Sequence, residues 1–489
     1  MTGPETITIT KAEYDRLIAA ESEIASLKFQ LSELKRLIFG AKRERYIAQD
    51  PAQSTLFDLP EEQNVETKTE TITYERRKSQ EEKKQPLRTE LPAHLERRDE
   101  IIEPENIPQG STKIGEAITE VLEYEPASVY VRRIIRPKYI IRQDDEQTQI
   151  LTASLPSLPI PKGNAGASMI AHLLVSKFVD HLPFYRQVQI FKRQNLNIAE
   201  STINGWFNAG CDLLEPLYEA LKSKLLAGNY LMADETPIPV QTKDKPGATH
   251  KGYHWVYYDP GNKIVLFDYR KTRGKEGPDE LLKNFKGYLQ TDGYNAYNHF
   301  EHHPGITLLA CMAHARRKFE HALENNSALA TEALKMFQAL YDIERQIREE
   351  NSEPATILAI RQEKSKPVLD QMEVWLKEKI IVVPPKSAIG MAMAYTLNLW
   401  PRLIRYTDDG RFLIDNNLIE NSIRPVAIGR KNYLFAGSHE AAQQAAVIYS
   451  LLATCKLHNE EPFAWLTKTL SIIPGIPANQ LHTLLPGQK

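Results

Sequence analysis

The sequence predicts a mixed α/β fold in which helices cover the faces of a sheet. Two apolar runs, 230–237 and 287–294, carry an acid where the apolar residues stop, as buried strands do at a sheet edge. Two strand-like runs, 253–258 and 263–269, lie between them and are joined by a Pro-Gly-Asn turn. A helical pattern at 278–285 and further helices downstream complete the alternation.

The acids at these strand ends, Asp234 and Asp292, are candidate metal ligands because carboxylates at a sheet edge can hold a cation. Asp234 is preferred over Glu235, since consecutive strand residues point to opposite faces, and Glu235 is expected to face elsewhere. For a lone aspartate, a plain strand end at the surface would be the better interpretation. The repetition of the pattern on two strands that flank a hairpin favours a site.

The composition limits the class of protein. A chain of 489 residues can form several domains, and 61 Lys and Arg against 63 Asp and Glu give no global sign of nucleic-acid binding. Its three cysteines, without Cys-x-x-Cys spacing, argue against a disulfide framework or a cysteine zinc site and indicate a reducing compartment. Without an export signal or a membrane-spanning run, we expect a soluble, cytoplasmic protein with no membrane partner.

The N-terminal segment, 1–45, is predicted to be a coiled coil. Apolar residues recur at seven-residue spacing, with a second set offset by three: Leu17, Ile24, Leu31 and Ile38, then Ala20, Leu27 and Leu34. This favours a homo-oligomer, and the alternative is one amphipathic helix docked on its own chain. The following stretch, 46–92, is polar and aperiodic and is predicted to be a flexible linker.

Two small regions follow the linker. Residues 93–155 are predicted to form short strands in which basic residues, among them Arg133 and Arg136, are interleaved with tyrosines. Such a surface could lie along a DNA backbone, and a solvated strand face explains it equally well. Residues 156–226 are predicted to be helical. Their connection 195–206 resembles a helix-turn-helix whose second helix is capped by Ser201, with plain helical packing as the competitor.

A sheet-bearing domain, 227–326 and 401–458, is predicted to contain a helical insertion, 327–400, and to be followed by a tail, 459–489. After the insertion, one face of a predicted helix carries Asn416, Asn417, Glu420 and Arg424. Glu420 is the better third acid because Asp415 would lie about 140° away around the helix. Pro425 should end or kink this helix, and an exposed helix with a weak Glu420–Arg424 pair is the alternative.

Several motifs in this order resemble the transposases of the bacterial insertion sequence 66 family. They are Leu37-Ile-Phe-Gly40 after the zipper, the runs 173–183 and 462–466, Ala233-Asp-Glu-Thr-Pro237, Asp292-Gly-Tyr-Asn-Ala-Tyr297, His314-Ala-Arg-Arg-Lys-Phe319 and Asn417-Leu-Ile-Glu-Asn-Ser-Ile-Arg-Pro425. The resemblance covers nearly the whole chain. It implies a ribonuclease-H-like catalytic core with Asp234, Asp292 and Glu420 as its triad.

The resemblance also implies the chemistry and the partners. Three carboxylates would hold two Mg²⁺ or Mn²⁺ ions, which serve cleavage of transposon ends and strand transfer into target DNA. Accessory transposition proteins are further candidate partners. Candidate phosphate contacts are Arg424, Arg317, Lys318, Arg430 and Lys431, together with His314, although each alone is better explained by structure or solvation.

One departure from the family concerns zinc. Members often carry two Cys-x-x-Cys pairs before the catalytic domain, whereas this sequence has Ile107-Pro-Gln-Gly110 and Ile141-Arg-Gln-Asp144 at the corresponding places. No zinc is therefore expected, and the small strand region should fold by packing alone. Two other functions stay open, a catalytically silent DNA-binding protein and a ribonuclease-H-like nuclease that only hydrolyses.

Overall fold

The structure is a computed structural model that describes residues 90–105, 107, 110–125, 128–142, 148–242 and 247–488. The chain divides into two units, Met1–Glu81 and Glu82–Lys489, and the described residues all belong to the second. The predicted coiled coil, 1–45, and nearly all of the predicted linker, 46–92, lie outside the described residues. No helix within the described ranges is long and apolar enough to cross a membrane.

A small sheet forms the first part of the described chain. Its strands are β1 (Arg97–Ile101), β2 (Thr112–Glu125), β3 (Ser128–Arg142) and β4 (Thr148–Thr152). Strands β2 and β3 pair antiparallel, β1 lies parallel to the first half of β3, and β4 lies antiparallel to its second half. The predicted strands 129–135 and 139–142 are thus one strand, which continues through Pro137 because β2 flanks it along its length.

Three helices follow this sheet: α1 (Ala167–Phe178), α2 (Phe184–Arg193) and α3 (Glu200–Leu226). The prediction that Ser201 caps α3 is wrong, because the N-cap is Ala199 and Ser201 lies in the first turn. The Ala199 carbonyl accepts the first helical bonds, from Thr202 and Ile203. The buried side chains of Ile203 and Trp206 set the rotation of this helix against the core, which overrides the local capping preference.

A five-stranded mixed sheet forms the centre of the protein. Its strands are β5 (Tyr230–Gln241), β6 (Thr249–Asp259), β7 (Ile264–Arg270), β8 (Gly287–Thr291) and β9 (Ile306–Ala310), in the spatial order β7-β6-β5-β8-β9. Strands β5, β6 and β7 pair antiparallel, whereas β5, β8 and β9 pair parallel. Helix α4 (Glu276–Leu282) lies in the connection from β7 to β8.

The remaining helices pack around this sheet. They are α5 (Met312–Ala322), α6 (Ser327–Glu349), α7 (Pro354–Ile360), α8 (Lys366–Lys379), α9 (Ala388–Leu403), α10 (Asn417–Tyr433), α11 (His439–Leu457) and α12 (Pro462–Ile472). Helix α11 covers the edge strand β7, where the Ser450 hydroxyl accepts a 2.8 Å bond from the Phe267 amide. Helix α10 runs on through Pro425, so the helix does not end there. One apolar core joins α1–α3, the central sheet and the insertion.

Candidate active site

Asp234 lies on β5, one residue past Ala233 and just beyond the part of the strand that pairs with β8. It faces Val256 of β6 across the antiparallel pair, and the residue is half-buried. One carboxylate oxygen, Oδ1, accepts a 2.7 Å hydrogen bond from the Glu235 amide. The strand backbone therefore fixes the direction of this carboxylate at the end of the parallel pairing.

Asp292 directly follows β8 and is held by its own loop. Its Oδ1 accepts a 2.8 Å bond from the Tyr294 amide, and its carbonyl accepts a 2.7 Å bond from the Tyr395 hydroxyl of α9. Gly293 between them has a φ of +89°, and a Cβ there would lie 2.7 Å from Leu399. Only glycine suits this turn, which holds Asp292 next to the insertion.

Glu420 lies in the first turn of α10. Its Oε1 is 4.0 Å from His314 Nε2, and its Oε2 is 3.9 Å from Arg317 Nη2, both on α5. Oε1 is buried, and among the described residues no hydrogen bond reaches it. Asp415 precedes the helix, where its carboxylate accepts bonds from the Asn417 amide and side chain, so the helical angle used to set it aside does not apply.

The three carboxylates influence one another electrostatically. Burial, followed by the charges of Asp292, Glu235 and Glu420, holds the pKa of Asp234 well above its usual range. Burial also raises the pKa of Glu420, where Asp415 and Asp292 add to the effect and the cations of Arg317 and Arg424 oppose it. Like charges gathered in a buried place disfavour ionisation, and a bound cation would reverse this.

The donor set fits a hard divalent cation. In the conformation of the structure, no three His, Cys, Asp or Glu side chains among the described residues are close enough to hold one ion together. The chemistry nevertheless suits magnesium or manganese, since Asp234, Asp292 and Glu420 offer the carboxylate oxygens that hard divalent cations prefer. Beside Glu420, both side-chain polar atoms of the buried Asn416 lack a hydrogen-bond partner within the described ranges. These unsatisfied groups are of the kind that a ligand or its water would satisfy.

Glu235, expected to face elsewhere, is tied to the Asp292 loop. Its side chain is 2% exposed, and Arg273 Nε donates to its Oε1 over 2.8 Å. The Arg273 guanidinium lies 3.9 Å from the centre of the Tyr294 ring, and the Tyr294 hydroxyl donates to the Arg273 carbonyl. The sequence reasoning missed Arg273. The only sign of it in the sequence is a basic residue in the loop after β7, at the same edge of the sheet as Asp234.

Basic residues from α5 and α10 stand around the acids. Arg317 is close to Glu420, and Arg424 is exposed one turn further along α10. Lys318 is exposed, with its ammonium 5.3 Å from the centre of the Tyr395 ring. Burial, with the nearby Lys318, lowers the pKa of His314, although Asp292 and Asp415 act against this. The structure thus brings Arg317, Lys318, Arg424 and His314 to the acidic site.

The other predicted DNA contacts lie elsewhere. Arg430 points to the sheet and donates to the Pro237 carbonyl, whereas its neighbour Lys431 is exposed. On the small sheet, Arg133 pairs with Asp99 at 3.2 Å, and Arg136 donates to the Ala153 carbonyl at 3.2 Å. Arg430, Arg133 and Arg136 therefore all contact groups within the protein itself. The three cysteines, Cys211, Cys311 and Cys455, are buried as free thiols.

The fold and the site together define a mixed α/β protein with candidate acids on β5, directly after β8 and in the first turn of α10. The model of the Transposase IS66 family matches residues 162–444, more than half of the chain. Residues 26–99 match the model described as Transposase C of IS166 homeodomain, and residues 450–486 match the IS66 C-terminal element. The chain therefore belongs to the IS66 family of transposases. Membership supports a transposase role with DNA as partner, and transposases of this class generally use a divalent metal.

Full-length relatives are found in Sinorhizobium fredii (strain NBRC 101917 / NGR234). Uncharacterized protein y4jD is 32% identical, and the alignment covers 95% of this chain and 94% of the relative. Uncharacterized protein y4qI is 33% identical over 97% of this chain and 92% of the relative. Uncharacterized protein y4hP is 32% identical over 83% of this chain and 77% of the relative. The similarity extends beyond the 162–444 match to both ends of the chain.

Proposed function

We propose that this protein cleaves the ends of an insertion sequence and joins them to target DNA, with Asp234, Asp292 and Glu420 as its catalytic carboxylates. One observation carries the proposal. Carboxylates from β5, from the end of β8 and from the first turn of α10 lie close enough for Asp292 and Glu420 both to raise the pKa of Asp234. Like charges on half-buried carboxylates are unfavourable for the metal-free fold, and such arrangements are concentrated at functional sites.

The sheet topology supports a ribonuclease-H-like core. Three antiparallel strands followed by two parallel ones, in the order β7-β6-β5-β8-β9, agree with the arrangement that the family resemblance implies. We assign 227–326 and 401–458 to this core and 327–400 to a helical insertion. The regions 93–155, 156–226 and 459–489 are then a small β region, a helical region and a tail.

Within this proposal, Asp234, Asp292 and Glu420 would hold two Mg²⁺ or Mn²⁺ ions. When bound, such ions activate the attacking water or 3'-hydroxyl and stabilise the leaving oxygen. The protein orients its ligands beforehand. Backbone amides donate to Oδ1 of Asp234 and to Oδ1 of Asp292, and these hydrogen bonds orient the two carboxylates that would hold the ions. Because Glu420 Oε1 accepts no hydrogen bond from the described residues, this oxygen needs no broken contact to become a ligand.

The cations around the acids would position the DNA. Lys318 and Arg424 are exposed beside the site, and Arg317 lies within 4 Å of Glu420. Arginine and lysine at such distances bind phosphate oxygens by charge-assisted hydrogen bonds. A phosphodiester brought to this edge of the sheet would thus meet both carboxylates and cations. We place this reaction in the bacterial cytoplasm, on the nucleoid.

The test compares Asp292→Asn with the wild-type protein on duplexes taken from the DNA on either side of the gene. We expect the variant to bind the end DNA but to lose cleavage and strand transfer. Asp408→Asn is the matched control, because Asp408 is exposed and lies in another loop. Unchanged strand transfer by Asp292→Asn would remove this residue from the mechanism. Wild-type cleavage without joined products would indicate a hydrolytic nuclease, and binding without cleavage would indicate a silent DNA-binding protein.

We also propose that the segment 1–45 joins copies of the chain through its heptad seam, and that accessory proteins take part in the complete reaction. Proline removes a helical hydrogen bond and disrupts a coiled coil at the substituted position. Leu31→Pro is therefore expected to lower the mass measured by light scattering. An unchanged mass would refute this route to the oligomer.

A further inference from the structure

The residue that follows α10 has an unusual backbone. Leu434 has φ 63° and ψ −51°, and the Phe435 amide donates a 2.7 Å hydrogen bond to the Tyr433 carbonyl. These values describe a γ-turn with a positive φ at its centre, a rare and strained conformation. Few bulky side chains adopt it, because the Cβ crowds the backbone. Leucine rarely adopts this positive φ, so the surrounding structure must stabilise the turn.

Both flanks of the turn are anchored. Ala436 pairs with β5, since its amide donates to the Pro239 carbonyl over 2.9 Å and its carbonyl accepts from the Gln241 amide over 2.8 Å. Two residues later, the Ser438 side chain caps α11 by accepting a bond from the Ala441 amide. Strain of this kind persists where neighbouring structure determines it, and it is concentrated at functional sites.

The turn presents two large apolar side chains to solvent. Leu434 is 63% exposed and Phe435 is 40% exposed. Both border a cavity of about 630 Å³, in the size range of small-ligand sites, which Asn204 and Asn208 of α3 also line. Among the described residues, the cavity holds the carboxylates of Glu200 and Glu440 against one cation, Lys177, and this excess of negative charge disfavours phosphate. The Lys177 ammonium lies 3.9 Å from the centre of the Phe184 ring, so this ring is already engaged. The amide side chains of the cavity suit a neutral group with hydrogen-bonding edges.

Helix α10 connects this turn to the acidic site. Glu420 lies in its first turn and Leu434 follows its last residue, so fourteen residues and about 21 Å of helix separate them. This length corresponds to about six base pairs of B-DNA at 3.4 Å each. Arg424, Ile428 and Lys431 are exposed at spacings of four and three residues and share one face of the helix between the two places. DNA along this face would contact the acids at one end and the turn at the other.

From these observations we propose that Leu434 and Phe435 form a wedge that enters duplex DNA about six base pairs from the scissile phosphate, and that the adjoining cavity receives the displaced base. Apolar side chains inserted between base steps unstack them, and the exposed Lys431 provides a phosphate contact next to the wedge. The inference rests on the proposed transposase function, because Glu420 defines where the scissile phosphate lies.

The test uses the full chain and short duplexes from the DNA beside the gene, each with one 2-aminopurine, whose fluorescence rises when the base unstacks. We expect the wild-type protein to raise the fluorescence at one or two adjacent positions about six base pairs from the cleaved phosphate, and a rise only at other positions would overturn the proposed distance. In Leu434→Gly/Phe435→Ala this rise should fall several-fold, while glycine accommodates the positive φ and leaves the melting temperature unchanged. Ile381→Ala is the control, because Ile381 is 82% exposed in the insertion, and it should behave as the wild type.

Cleavage of the same duplexes separates this inference from the proposed function. Cleavage by the wild type without unstacking at any position would overturn the wedge and leave the transposase proposal standing, and so would equal unstacking by the double variant. If Leu434 and Phe435 instead contact a protein partner, the wild type should cleave the DNA without unstacking any base. Unstacking that depends on Leu434 and Phe435, without cleavage, would support insertion of these side chains into DNA. It would overturn the catalytic proposal and, with it, the distance of the wedge from a scissile phosphate. If the wild-type protein neither unstacks a base nor cleaves the DNA, both the wedge and the catalytic proposal are overturned.

Discussion

The guanidinium of Arg273 lies 3.9 Å from the centre of the Tyr294 ring, and the amide of Tyr294 orients the carboxylate of Asp292. Arg273 is fixed in turn by Glu235, the acid next to Asp234 on β5. The two strand-end acids are thereby linked through the loops after β7 and β8. Groups that orient a metal ligand without touching the metal commonly change its affinity.

Tyr294→Ala is therefore expected to weaken Mn²⁺ binding, because the ring stack that holds the Asp292 loop is lost. A stack at an exposed site is worth about 0.5–1 kcal/mol, which corresponds to roughly a two- to fivefold change in affinity. Tyr294→Phe keeps the ring and loses only the hydroxyl bond to the Arg273 carbonyl, so it should stay near the wild-type value. Titration with Mn²⁺, followed by electron paramagnetic resonance, measures the Mn²⁺ affinity of both variants. Equal affinities in all three proteins would contradict the link.

Asp234→Asn is expected to stabilise the metal-free protein at neutral pH. Because burial and neighbouring carboxylates raise the pKa of Asp234, the folded state binds the proton more tightly than the unfolded state. The stability of the wild type therefore falls as the pH rises from about 3.9, the unfolded pKa, through the folded pKa. An asparagine escapes this loss and should gain roughly 1 kcal/mol, as replacements at strained functional sites commonly do.

Thermal melting at several pH values tests this expectation. The advantage of Asp234→Asn should shrink as the pH falls below the unfolded pKa of about 3.9, where the wild-type carboxyl is protonated in both states. Added Mg²⁺ should raise the melting temperature of the wild type and have little effect on the variant, since a ligand stabilises only the form that binds it. A variant less stable than the wild type at pH 7 would show that the Asp234 carboxylate stabilises the fold.

The elements of the central sheet could be predicted from the sequence because their apolar runs are long and their turn residues are clear. The lengths of the strands could not be predicted, and β5 is an example. Pro237 reads as the end of a strand, yet the strand continues through Pro237 and Pro239 to Gln241. Its pairing with β8 stops at Met232, so the prolines lie on a stretch without that neighbour, where a missing amide is tolerated.

Local patterns in the sequence mark the three candidate acids, whereas the contacts around them could not be predicted. Asp234 and Asp292 follow apolar runs, and Glu420 lies on a polar helical face, so local patterns mark all three. The contact of Arg273 with Tyr294 depends on how two loops fold against each other. The engagement of Arg133 with Asp99 depends on the register of β1 against β3, which the basic pattern alone does not contain.

The buried ion pair of Arg361 and Glu344 fixes the insertion and gives a stability prediction. Arg361 makes two hydrogen bonds to Glu344, of 2.7 and 2.8 Å, and further bonds to the carbonyls of Tyr406 and Asp409. Arg361→Met leaves a buried carboxylate unpaired and should cost about 3–5 kcal/mol in urea unfolding. Arg345→Met, which breaks an exposed pair with Asp342, should cost at most about 1 kcal/mol. Similar losses in the two variants would contradict this assignment.

Arg430 and Lys431 are adjacent in sequence but should respond differently to substitution. Arg430 is half-buried and donates to the Pro237 carbonyl, so Arg430→Ala should lower the unfolding free energy by about 1.5–3 kcal/mol, the usual worth of a hydrogen bond from a charged group. Lys431 is exposed beside the turn at Leu434. Lys431→Ala should leave stability unchanged, weaken DNA binding on every sequence alike and reduce the slope of log affinity against log salt by about 1.

Fluorescence anisotropy at several salt concentrations, together with urea unfolding, separates the two effects. Arg430→Ala protein that remains folded should keep the wild-type salt slope, because its guanidinium contacts the sheet and not the DNA. A reduced slope in Arg430→Ala would mean that this guanidinium leaves the Pro237 carbonyl when DNA binds. An unchanged slope in Lys431→Ala would mean that DNA does not follow the exposed face of α10, and the path from Glu420 to Leu434 would have to be abandoned.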